Sequence, residues 1–140
     1  MKKTQKKLGN KGFSLVELIV VIAIMAVLVG VLAPTLIKNI EKSRESKDAQ
    51  NLDEVRQAIT SVLADEKYYS ALSDNTVTIA SADGIVSVTE PATAITPTLT
   101  TELTDTIGST KVEMTSKKYK NKTITFTISN GKISGPNVAS

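Results

Sequence analysis

Two groups near the start of the chain have types and spacing that could do chemistry: the backbone at Gly12-Phe13 and the carboxylate of Glu17. If the peptide bond after Gly12 were cut, Phe13 would carry a free α-amine, a cation in otherwise apolar surroundings. Glu17 follows four residues later, which on a helix puts it on the same face, about 6 Å away along the axis. An ionisable side chain inside an apolar helix costs a few kcal/mol or more unless it is paired or loses its charge. The amine and the acid are therefore natural partners, within one chain or between two. Pairing between chains would link molecules into a filament.

The element that must position these groups is an apolar run. Leu18 to Ala33 is almost unbroken in hydrophobic residues and is closed by Pro34-Thr35-Leu36-Ile37. As a helix, residues 13–33 span roughly 31 Å, which matches a bilayer hydrocarbon core of about 30 Å. The run predicts a single membrane span with Glu17 near its beginning. An ordinary secretory signal peptide fits less well, because its apolar core is about 7–15 residues long and ends in a small-residue cut site. Here the run is longer, and the small residue at its end, Ala33, is followed at once by Pro34.

Lys11-Gly12-Phe13-Ser14-Leu15-Val16-Glu17 followed by this helix resembles the class III signal peptide of type IV pilins and pilin-like proteins. The resemblance covers about the first forty residues. It implies that a prepilin peptidase cuts between Gly12 and Phe13, that the new Phe13 amine is methylated, and that Glu17 pairs with the amine of a neighbouring subunit. It also implies the pilin layout, an α+β fold in which the second half of a long helix packs against a small antiparallel sheet. The partners it implies are the peptidase, other copies of the chain in a helical homopolymer, other pilins, and the pilus assembly machinery in the membrane. The precursor would sit in the cell membrane with its amino terminus in the cytoplasm, and the mature subunit in an extracellular pilus. A pseudopilin of a type II secretion system and a DNA-uptake pilin share the same signature. A monomeric membrane-anchored surface domain is the alternative of another class.

Composition bounds the rest. The 140 residues suffice for one small domain beyond a long helix. Cysteine and histidine are both absent, so disulfides, Cys/His metal sites and His-based nucleophile arrangements are excluded. Many pilins staple a carboxy-terminal loop with a disulfide, and this chain departs from them, looking more like pilins of Gram-positive bacteria. The net charge of +3 is uneven. Lys2, Lys3, Lys6, Lys7 and Lys11 precede Phe13 with no acid among them, and without those five the chain has 12 basic against 14 acidic side chains. The basic leader reads as a positive-inside topology signal. No paired carboxylates, phosphate-binding glycine loop or cofactor motif is present, so the expectation is a non-enzymatic protein without cofactor or metal. Lys117, Lys118, Lys120 and Lys122 around Tyr119 are the one basic cluster of the mature part. A solvated edge before a strand is the first reading of it, ahead of a surface for nucleic acid or another acidic partner.

Four segments follow: a leader at 1–12, a hydrophobic helix at 13–37, an amphipathic helix at 38–69 and a β head at 70–140. The amphipathic part rests on Leu52, Val55, Ile59, Val62 and Leu63, which recur at three-, four- and seven-residue spacings. Gly30 and Pro34 are the expected kink, because proline lacks the N–H that would reach the Gly30 carbonyl and glycine disfavours helix. In the pilin family a proline here accompanies a segment that can unwind; the glycine often found further upstream is Ala26 in this chain. In the head, 123–129 alternates and is followed by the turn pair Asn130-Gly131, which predicts a hairpin with Ile128 opposite Ile133. A second hairpin is expected through Asp83-Gly84 with Ile79 opposite Val88, a further strand at 111–115, and a Thr-rich loop containing Pro91 and Pro97.

Overall fold

A computed structural model describes residues 12–72, 74–80, 83–88 and 97–139. The leader lysines and the Thr-rich stretch around Pro91 lie outside the described residues. The chain divides into two compact units between Asn39 and Ile40. One helix, α1 (Leu15–Leu63), contributes its first half to the first unit and its second half to the second. The layout is the expected α+β one: a long helix, apolar in its first half, followed by a small four-stranded antiparallel sheet.

In the second unit α1 buries Leu52, Val55, Ile59 and Val62 of the stripe predicted from spacing, with Ala58 buried beside them and Leu63 only partly so. The helix does not continue to Tyr69. It ends at Leu63, because the Asp65 carboxylate accepts a hydrogen bond from the Lys67 amide (2.9 Å) and starts a new short helix, α2 (Glu66–Leu72). Aspartate competes in this way with helix continuation and favours a cap instead. The break turns Tyr68 and Leu72 into the core.

The sheet comprises β1 (Thr76–Ile79), β2 (Val86–Val88), β3 (Ile124–Ser129) and β4 (Lys132–Val138), in the order β2-β1-β3-β4. The β3–β4 hairpin has the predicted register, Ile128 opposite Ile133 and Ser129 opposite Lys132. Its turn residues Asn130 and Gly131 both have positive φ, 49° and 72°, as a type I′ turn demands. The β1–β2 register is corrected by two residues: Val88 faces Val77, and Ile79 faces Val86. A shift of two keeps every side chain on its face, so the apolar pattern alone does not distinguish the two pairings. The loop decides, through hydrogen bonds from the Ala80 amide to the Ile85 carbonyl and from the Gly84 amide to the Ala80 carbonyl.

Two expectations fail in the head. The supposed loop after Pro97 contains helix α3 (Leu99–Ile107), capped by the Thr98 hydroxyl, which accepts from the Thr101 amide, and closed by Gly108 at φ 76°. Leu99 and Leu103 are buried, with Ile107 packed beside them. Residues 111–115 form no strand; the only bridge there pairs Lys111 with Ile85. Their backbone is bound by α1 instead.

That binding centres on Asp48, fully buried although charged. Its carboxylate accepts from the Thr115 amide (3.0 Å), the Thr115 hydroxyl (3.2 Å), the Ser116 amide (2.7 Å) and the Ser116 hydroxyl (2.5 Å). Asn51 donates to the Glu113 carbonyl and Glu41 accepts from the Lys117 amide, so one face of α1 fixes the whole 113–117 segment. Burial pushes the Asp48 carboxyl up, but the hydrogen bonds from Ser116 and Thr115 outweigh it and hold the group below its ordinary value of 3.8. A depressed carboxylate stabilises the fold above its unfolded pKa, and this contribution is lost as pH falls through the folded value. Asp48→Ala, which strands four donors, should cost about 3 kcal/mol in urea unfolding of the head. The wild-type urea midpoint should also fall on acidification below the ordinary carboxylate range, and the variant should show a flatter profile there.

Candidate functional site

The Gly12, Phe13 and Glu17 site lies at the start of α1. Gly12, Phe13 and Ser14 are outside the helix, which begins at Leu15. Phe13 is 92% exposed, and a side chain built on Gly12 would meet nothing within 4 Å. The Gly12-Phe13 bond therefore lies in non-helical, uncovered backbone, immediately before a helix that would hold the residues after it rigid.

What ends the helix there is a reciprocal pair of hydrogen bonds. The Ser14 hydroxyl accepts from the Glu17 amide (3.2 Å), and the Glu17 carboxylate accepts from the Ser14 amide (2.7 Å). The Leu18 amide donates to the Ser14 carbonyl (3.1 Å), closing the first turn. This is a capping box, Ser-x-x-Glu, with Ser14 as the N-cap. An acid in the first turn is also favoured by the partial positive charge of the helix amino end. In the uncut chain Glu17 is thus occupied by its own backbone.

Sequence reasoning gave Glu17 one role and passed over Ser14. The signal was present: Ser14-Leu15-Val16-Glu17 immediately before an apolar run is a capping-box pattern. Helix α1 continues through Gly30 and Pro34.

From Leu15 to Ile37 every large apolar side chain is exposed. The most apolar 18-residue window of α1 is wholly uncovered by the rest of the chain, and by length and composition it can cross a membrane. An uncovered apolar surface of this extent marks a segment that meets lipid or other protein. Residues 7–33 match the family model of the prokaryotic N-terminal methylation motif. This motif is the class III signal peptide of type IV pilins. A motif of this kind indicates a pilin-like or pseudopilin precursor and implies processing by prepilin peptidase, and the apolar helix behind it fits a membrane-anchored precursor. No curated protein and no solved structure matches the chain.

The methylation motif ends at residue 33, within the apolar half of α1, and so carries the exposed bond, the capping box and most of the span together. Among the described residues no group of three acids is placed to hold a metal ion. Ser14→Ala would remove the hydroxyl that holds the Glu17 amide. Exchange of that amide in the full-length precursor should quicken about fivefold, the equivalent of a lost cap of ~1 kcal/mol, while amides beyond the first turn should not change.

Proposed function

We propose that this chain is the precursor of a type IV pilin subunit that polymerises into an extracellular filament. The observation that carries the reading is a methylation motif whose Gly12-Phe13 bond stands bare in front of a capped, uncovered apolar helix. Each residue then has a task. Gly12 has no side chain to obstruct access to the bond, Phe13 supplies the new amine and receives the methyl group, and Glu17 takes up that amine from a neighbouring subunit.

The cap bears on how Glu17 does this. The Ser14 amide engages Oε2 of the carboxylate, and among the described residues no donor reaches the other oxygen. A carboxylate has about four lone-pair sites, so an incoming ammonium can be received while the helix stays capped. The charge-assisted bond that results is shorter and stronger than a neutral one.

The span supports polymerisation because its burial need is met equally by lipid and by other helices. Helix association in a membrane relies on packing and hydrogen bonding rather than on removal of apolar surface from water. Gly30 and Pro34 supply the place where the helix can yield as subunits pack, since the Gly30 carbonyl has no Pro34 N–H to accept from.

Mass spectrometry of the protein recovered from the cell surface should show a mature chain beginning at a methylated Phe13. A chain retaining its lysine-rich leader would overturn the proposal. Glu17→Ala should be cut and remain in the membrane but give few sheared filaments; normal filament yield would remove Glu17 from assembly.

A further inference from the structure

The clamp around Asp48 gathers cations that are far apart in sequence. Arg44 and Lys47 on α1 and Lys120 and Lys122 on the following turn line one groove of about 630 Å³ in the head, whose acidic lining residues are Asp83 and Glu113. The lysine-bearing turn is held firmly there. The Lys120 amide donates to the Ser116 carbonyl (2.9 Å), and Ser116 itself is locked to Asp48.

Two carboxylates, Asp83 and Glu113, line the groove against its four cations, and the acids on the adjoining face of α1 are engaged elsewhere or in part. Asp48 is consumed by Thr115 and Ser116, and Glu41 is shared between the Lys117 amide and Arg44, 3.8 Å away. Among the described residues, no ion pair engages Lys47, Lys120 or Lys122. The groove thus carries more positive than negative charge, on backbone that the Asp48 clamp holds in place.

We propose that this groove binds the phosphate headgroups of an anionic phospholipid surface while the subunit is still anchored in the membrane. The proposal rests on the anchored-precursor reading above. Arg44 is seven residues beyond Ile37, the end of the span, so chain reach alone keeps it within about 25 Å of the membrane exit. At that distance the lipid phosphates have a high effective concentration, and a shallow, multi-cation site is occupied without tight binding. Single-stranded nucleic acid fits less well, because it needs exposed aromatic faces on which bases stack. Tyr119, the aromatic of the basic cluster, is only 7% exposed.

The test uses the full-length chain in nanodiscs of phosphatidylcholine, with or without added phosphatidylglycerol, followed by amide exchange. Each lysine held at an anionic surface is worth about fivefold in affinity, so exchange in 117–122 should slow at least fivefold with phosphatidylglycerol and recover at high salt. Lys120→Gln with Lys122→Gln should abolish most of this protection, as should Lys47→Gln alone in part, which guards against misfolding of the turn. Lys132→Gln, at the β3–β4 turn, should leave it intact. Equal exchange in both discs, protection that survives high salt, or protection produced by double-stranded DNA on neutral discs but not by phosphatidylglycerol would overturn the proposal. Protection of 15–37 in both kinds of disc reports anchoring separately, so its loss would count against the anchored-precursor reading rather than the groove.

Discussion

The constraint on which the rest depends is that one continuous helix must satisfy two solvents. The first half of α1 shows apolar side chains on every side, and they are exposed among the described residues. The second half is one-sided, with Leu52, Val55, Ile59 and Val62 buried and the opposite face exposed. A helix apolar all round belongs in lipid or among other helices; a one-sided helix belongs on a sheet. Backbone hydrogen bonding is internal to a helix, so the same element can pass from one environment to the other without stranding polar groups. The only charged side chain between Leu15 and Ile37 is Glu17, placed in the first turn, where the Ser14 amide meets it.

The head solves a different problem, that of a small core. It is built from α1, two short helices and a four-stranded sheet, with Phe126, Ile59, Ile79 and Ile124 fully buried. Much of the 108–123 connection is irregular, and irregular backbone buried against a helix must find partners. Asp48 supplies them. A carboxylate accepting from both amides and both hydroxyls of Thr115-Ser116 replaces the ladder that a strand would have provided. Removing it would therefore affect the segment as a whole rather than a single contact.

What could be read from the sequence follows from how local each signal is. The Gly12, Phe13, Glu17 and span pattern is contiguous, and so were the stripe on α1 and the Asn130-Gly131 turn. The β1–β2 register was not legible, because alternation has a period of two and a slip of two leaves it unchanged. Helix α3 was hidden by its threonines, which suit strands and loops, although Thr98, Leu99, Leu103 and Gly108 stand at cap and i,i+4 positions. Asp48 carries no local signal of its burial, because its partners lie 67 and 68 residues away. At the candidate site, the acid and its exposed neighbours were legible, but the second use of Glu17 as half of a capping box was overlooked.

The sheet edges explain why a chain of this kind would polymerise through its helix and not through its head. An open strand edge is a template for another chain. On β2 the outward Val86 amide donates to the Thr110 carbonyl (3.1 Å) and the Val88 amide to the Thr100 hydroxyl (3.3 Å), so that edge is taken up by the head's own connections. On β4, Pro136 has no N–H to offer, and the Gly135 carbonyl is engaged by the Arg56 guanidinium, which also sits 5.9 Å from the centre of the Phe126 ring. A bulge between Thr125 and Thr127 further interrupts the β3–β4 ladder. With both edges interrupted in this way, the large uncovered apolar surface among the described residues is the first half of α1. On the filament reading proposed above, its one carboxylate would set the register, since a slipped neighbour would leave Glu17 facing hydrocarbon instead of an amine.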